Sequence, residues 1–269
     1  LMGQPIKAQG VPRLLKRERR SFGTFDADCF LLESECGVLV PFLVASLPGT
    51  PPDAPLAFYL HSSGKDAVFS HRGARSLADA GFRVAGVDVR GTGETCYVYH
   101  TEEEYAVSNS IMTGRALFDG RALDVLCAVE CLRRCGAADA VSFWAADAFS
   151  LCSVLTAADC PSVERLVLEN SPLSLISEHG LSAVPDYLFV PAMLSVLDIP
   201  QLLAIVSPRP LLVLNPVDGR GARLAPADVS ELLAWTSAAY APGGLAVECL
   251  SDETARSAAI AFLKGERGS

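Results

Sequence analysis

The chain has 269 residues, half of them apolar, which suffices for a large core within a single α/β domain. Lys and Arg number 22 against 31 Asp and Glu, a formal net charge of −9 that disfavours nucleic acid and anionic lipid surfaces as partners. No apolar run reaches the roughly 18 to 20 residues needed to cross a bilayer.

Taken in order, residues 1–20 are polar and end in the basic cluster Lys16, Arg17, Arg19 and Arg20. A solvated lead-in is expected there, residues 1–36 holding it and a first edge strand, with the core running over 37–269. The opening LMGQPIKAQG carries no secretory signal pattern; because the chain opens on Leu, bacterial cytoplasmic and exported locations both stay open. Residues 28–33 (DCFLLE) and 38–45 (VLVPFLVA) are short β-patterns joined by a turn at 34–37, which suggests an antiparallel pair at one sheet edge.

After a Pro-rich turn, strands and helices alternate. A strand is expected at 56–60, a loop at 61–64, a helix over 72–80 closed by Gly81, and a strand over 82–89. A glycine-rich loop follows (88–95), then a long helix over about 115–135 with apolar residues at Ala122, Val125, Val129 and Leu132, and Arg133 and Arg134 in its last turn. Residues 140–158, AVSFWAADAFSLCSVLTAA, read as strand, tight turn and helix. Further strands are expected at 163–169, 210–215 and 245–250, helices at 225–239 and 253–264, and an irregular apolar cap at about 172–207. This alternation implies a mostly parallel sheet with helices on both faces.

Five segments follow one another in the order and spacing seen in α/β-hydrolases: HSSGKD at 61–66, VDVRGTGET at 87–95, the strand–turn–helix around Asp147, VLENSPLS at 167–174 and SPRPLLVLNPVDG at 207–219. The chain resembles that superfamily over about residues 37–263, and within it the acetyl-xylan-esterase-like, carbohydrate-esterase branch. The resemblance implies a nucleophile, an acid and a histidine in that chain order. The nucleophile position, usually the serine of G-x-S-x-G, falls on Asp147 within Ala145-Ala146-Asp147-Ala148-Phe149. The acid position falls on Asp218. The histidine position falls in Ser251-Asp252-Glu253-Thr254, so Asp252 stands where a histidine is expected. His61, His71, His100 and His179 all come earlier, and the last 90 residues contain none.

These replacements change the chemistry that can be expected. A serine esterase needs a hydroxyl activated by a base that later protonates the leaving alcohol. Attack by an aspartate on an ester would give a high-energy anhydride. Aspartate nucleophiles of proteins resembling haloalkane dehalogenases and epoxide hydrolases attack alkyl carbon, and still require the late histidine. Asp147 therefore reads first as a helix-capping carboxylate and second as a nucleophile. Asp218 is equally well a turn residue before Gly219, and Asp252 reads as a cap of the last helix before it reads as one of a proton-sharing carboxylate pair.

His61 opens the segment corresponding to the oxyanion loop, with Ser62 in place of the usual glycine and Ser63 after it. The resemblance implies oxyanion contacts from backbone N–H groups of this loop and of Ala148. His179, in the cap, is the histidine considered for reaching the site from an unusual position, although a surface role is the simpler reading. Ser150 and Ser153 are rival nucleophiles, but a serine at 150 would lie within the helix.

The nine cysteines read as small buried hydrophobes. Cys127, Cys131 and Cys135 share a helical face, yet at 1.5 Å rise per residue the outer two stand about 12 Å apart, too far for one ion. Gly91-Thr92-Gly93 lacks the third glycine, the following helix and the acidic residue of a dinucleotide site. No cofactor or metal is expected. The function expected is that of a carbohydrate-esterase relative without ordinary Ser-His-Asp catalysis, acting alone, as a homo-oligomer or beside a companion hydrolase domain. The alternatives are an active carboxylic ester hydrolase with an unconventional site around Asp147 and Asp218, and a module binding a small ester or carbohydrate-derived molecule.

Overall fold

A computed structural model of the chain describes residues 12–178 and 180–266. Nine strands form one sheet: β1 (Arg13–Phe22), β2 (Phe25–Glu35), β3 (Val38–Ser46), β4 (Leu56–Leu60), β5 (Arg83–Val87), β6 (Val141–Ala146), β7 (Val163–Glu169), β8 (Leu211–Leu214) and β9 (Leu245–Glu248). Their spatial order is β1-β2-β3-β5-β4-β6-β7-β8-β9. The first three run antiparallel, and pairing from β5 through β4 to β9 is parallel. β4, β6 and β8 are buried at every residue, as near-continuous apolar strands must be when helices cover both faces of a parallel sheet.

The helices are α1 (Ala67–Ser70), α2 (Arg72–Asp79), α3 (His100–Met112), α4 (Leu117–Arg134), α5 (Phe149–Asp159), α6 (Ile199–Ile205), α7 (Pro226–Leu232), α8 (Ala234–Ala238) and α9 (Asp252–Leu263). Two hydrophobic clusters lie on opposite faces of the sheet. One packs β2, β4 and β6 side chains against α4, α5 and the cap; the other packs Tyr59, Trp144 and Val167 against α2 and α9.

Several expectations are corrected. Within the stretch read as a solvated lead-in, residues 13–22 form β1, while residues 1–11 lie outside the described residues. β1 is exposed along nearly all its length, so its charges guard a sheet edge and pair across the ladder, Arg17 with Asp28 and Arg13 with Glu33. The helix α3 was not anticipated; its charged and apolar residues mix without a clear stripe. The single helix expected over 225–239 breaks at Leu233 into α7 and α8.

Chain direction decides where the site can form. From β4 the chain steps to β5 on one side, then crosses back to β6 on the other. The crevice beyond the C-terminal ends of β4 and β6 is thus a topological switch point, where open α/β sheets hold ligands. Register brings Leu60 opposite Ala145, so His61 and Asp147, just past those strand ends, become neighbours.

A buried ionic network fastens this region to the antiparallel edge. Asp124 of α4 is fully buried and accepts from Ser34 Oγ at 2.7 Å. It also accepts from the Arg90 backbone N and Nε, both at 2.9 Å, and from Arg90 Nη2 at 2.7 Å. Arg90 also reaches Glu35 at 2.9 Å, which Arg115 contacts as well.

Candidate functional site

Asp147 follows β6 with φ of +54°, a left-handed conformation that is uncommon for residues other than glycine and that throws its side chain above the sheet. Its backbone N–H donates to Glu169 O at 2.8 Å, and its carbonyl accepts from Ser150 N at 3.1 Å. Asn170 and Asn215, just past β7 and β8, share the same left-handed φ. The Asp147 carboxylate is 58 % exposed.

The capping role read from the sequence is not the one the structure gives. α5 has no side-chain cap hydrogen bond, and its N-cap position is Ala148. A capping side chain needs an extended backbone to fold over the first-turn amides, and the left-handed turn at Asp147 points the carboxylate elsewhere. It points towards His61, whose Nε2 lies 3.8 Å from Oδ2.

Sequence reading looked to His179 for an unconventional contribution; that residue lies outside the described residues. His61 is the histidine placed beside Asp147. Its Nδ1 accepts from the Ser63 backbone N–H at 3.0 Å, so in the neutral ring the proton sits on Nε2, facing Asp147. The ring packs against that of His71, with centroids 3.9 Å apart and planes tilted by 45°. Burial and the neighbouring His71 push the His61 pKa down, against the opposing pull of Asp147. The result is an imidazole held neutral by its surroundings, with its only lone pair engaged by the loop.

Asp218 takes the turn role. Its Oδ1 accepts from Arg220 N at 2.8 Å and Ala222 N at 2.9 Å, closing an Asx-type turn. It nonetheless lines, with Asp147, Asn170 and Arg223, a cavity of about 360 Å³. Asp252 is corrected: Ser251 caps α9, its Oγ accepting from Thr254 N at 3.5 Å. Asp252 lies in the first helical turn, 82 % exposed and 3.4 Å from Arg223 Nη2.

Neither rival serine is available as a nucleophile. Ser150 and Ser153 are fully buried. Ser150 Oγ lies 2.5 Å from Asp147 O and 2.7 Å from Ser171 Oγ, and Ser153 Oγ donates to Ser150 O at 2.6 Å.

The segment corresponding to the oxyanion loop sits against the elbow. Ser63 spends its amide on His61. The amides of Ser62 and Ala148 donate to no protein acceptor among the described residues. Both residues line a second cavity of about 260 Å³, together with Asp147, Thr92, Arg121, Phe149 and Tyr187. Arg121 is 1 % exposed and donates to Arg90 O at 3.1 Å and to Glu103 at 2.7 Å. Its guanidinium lies 4.2 Å from the Tyr187 ring centroid.

Glu169 escaped the sequence reading. It sits at the end of β7 behind the elbow, where Trp144 Nε1–H donates to it at 2.9 Å. Burial first, then the nearby Asp147 and Asp252 charges, raise its pKa against the opposing Trp144 hydrogen bond. The one visible signal was a carboxylate closing the apolar run at 166–168 of β7. Tyr59, on the same face as Trp144, is raised by burial and by the charges of Glu169 and Asp147. Among the described residues no group of three or more His, Cys, Asp or Glu side chains is placed to hold a metal.

No protein-family model matches the sequence, and no curated protein matches it. Solved structures do. A Bacteroides fragilis protein provisionally assigned as an acetyl xylan esterase superposes with a TM-score of 0.67 at 14 % identity, over 93 % of this chain and 73 % of that one. An acetyl xylan esterase from Paenibacillus sp. R4 gives 0.61 at 12 %, over 94 % and 87 %. A CE15 glucuronoyl esterase from Teredinibacter turnerae T7901 gives 0.62 at 13 %, over 95 % and 78 %. Identities this low establish the fold, which is that of the α/β-hydrolases with esterases as structural neighbours.

Proposed function

We propose that this chain is an α/β-hydrolase-fold relative of carbohydrate esterases that has exchanged ester hydrolysis for binding in the former substrate cleft. One observation carries the reading: Asp147 occupies the tip of the elbow, and the only described histidine beside it has its lone pair committed to the Ser63 amide. Hydrolysis by the serine route needs a hydroxyl and a base with a free lone pair. Ser150 and Ser153 are buried and hydrogen-bonded within α5 and its approach, and Asp252 pairs with Arg223 on the surface. A small polar ligand is the occupant this reading calls for, and a homo-oligomer or a companion hydrolase domain would supply the context for a binding role.

A second reading, an active hydrolase with an unconventional site, draws support from Asp147 and Asp218 lining one cavity. One assay separates the two. Binding without hydrolysis predicts that p-nitrophenyl acetate is turned over no faster by the wild type than by folded Asp147→Ala. Turnover that the wild type shows and Asp147→Ala loses would overturn the reading in favour of the second.

A further inference from the structure

We infer that the cavity at the elbow selects a small primary carboxamide carrying an aromatic or short apolar group. This rests on the proposed reading that the site binds without hydrolysing. The cavity of about 260 Å³ is bounded by the loop after β4, the loop after β5, the start of α5 and the cap. At one end two backbone donors, the Ser62 and Ala148 amides, meet no protein acceptor among the described residues. At the same end stands the Asp147 carboxylate, partly exposed and 3.8 Å from Nε2 of the neutral His61. An ionised carboxylate accepts hydrogen bonds and cannot donate them.

The wall therefore presents donors and an acceptor side by side, and the functional groups that could enter are sorted by this pattern. An ester offers acceptors alone: its carbonyl suits the two amides, but its alkoxy oxygen turns lone pairs toward the carboxylate. A ligand carboxylate suits the amides and is repelled by Asp147. An ammonium suits Asp147 and confronts two N–H donors. A primary carboxamide carries a carbonyl acceptor and an NH₂ donor on one carbon, and satisfies both sides of the wall. These groups are open to solvent in the cavity, so a ligand that covers one of them without matching it displaces water and does not replace its hydrogen bond, which loses affinity and sets the choice.

The rest of the cavity fixes what the carboxamide is attached to. Phe149, Ala183, Pro185 and Tyr187 supply apolar surface. Arg121 lies over the rings of Phe149 and Tyr187, at 5.8 and 4.2 Å, so its charge is spent on ring faces and on Glu103. An apolar cavity of about 150 Å³ holds a benzene ring, so the space here admits a phenyl group with its carboxamide.

The test uses four phenyl probes of similar size, benzamide, methyl benzoate, benzoate and benzylammonium, titrated against the full chain by calorimetry or ligand-observed NMR. Benzamide is expected to bind at least tenfold more tightly than each of the others. In Asp147→Asn, which keeps the side-chain shape and removes the repulsion, benzoate is expected to gain at least tenfold on benzamide. The inference is overturned if benzamide shows no binding up to its solubility, if any other probe matches it, or if folded Asp147→Asn leaves the ranking unchanged. Failure here with no turnover of p-nitrophenyl acetate sinks this inference alone, whereas Asp147-dependent turnover sinks the binding reading beneath it.

Discussion

Asp124→Ala is the substitution whose cost can be worked most fully from the structure. Asp124 is completely buried and accepts four hydrogen bonds, one from Ser34 Oγ and three from Arg90. Burial and these carboxylate contacts act in opposite directions on Arg90, and the contacts win, holding its guanidinium more firmly protonated. Removing one partner of a buried pair costs about 3–5 kcal/mol, because the other charge is left uncompensated. Here Arg90 keeps Glu35 at 2.9 Å, which places the loss near the lower bound, about 3 kcal/mol. Against a total stability of about 5–15 kcal/mol that is a large fraction, and it corresponds to a fall in Tm of at least about 6 °C for a chain of this size. Arg90 O also receives Arg121, so the damage reaches the floor of the elbow cavity.

Urea unfolding reports this through the two tryptophans, of which Trp144 is buried beside the site and Trp235 is 61 % exposed. The control is Arg90→Met with Asp124→Leu, which removes both charges and refills the volume. It is expected to cost less than Asp124→Ala alone, as replaced buried pairs do. The reasoning is refuted if Asp124→Ala loses under about 1 kcal/mol, or if the double substitution is as costly as the sum of its parts.

Two further expectations concern titration near the elbow. The Glu169 pKa is raised on folding, so its proton-linked stabilisation is complete below the ordinary carboxylate value and is lost as pH rises through the folded value. Glu169→Gln keeps an acceptor for Trp144 and should therefore be more stable than the wild type at pH 7, with the gap closing towards pH 4.5; a gap that does not change with pH refutes it. The His61 pKa is lowered, so its contribution is complete above about pH 6.5 and is lost as pH falls through the folded value. Protonated Nδ1 cannot accept from Ser63, so amide exchange at Ser63, corrected for intrinsic rates, should accelerate on that acid side. Unchanged protection down to pH 4.5 would contradict the assigned tautomer.

Much of the fold was legible because local pattern and tertiary role coincide where burial is uniform. The runs LAFYL and LLVL read as core strands and are, since a strand covered on both faces must be apolar throughout. β1 was missed for the converse reason: an exposed edge strand is selected for charge, and charge in sequence resembles a solvated tail. α3 was missed because it has no apolar stripe, and the break at Leu233 because it depends on packing rather than on composition.

At the elbow the division is sharper. The sequence by itself determined that an aspartate replaces the serine of the tip and that no histidine follows it, because these are matters of residue identity and order. Only the tertiary structure decided what Asp147 faces. The left-handed turn removes it from the helix cap, and the pairing of β4 with β6 sets it beside His61, 86 positions earlier in the chain. Which amides go unpaired, which lone pair is engaged and which cavity a carboxylate lines are properties of strand register and loop path, and these arise only when distant segments are brought together by a common core.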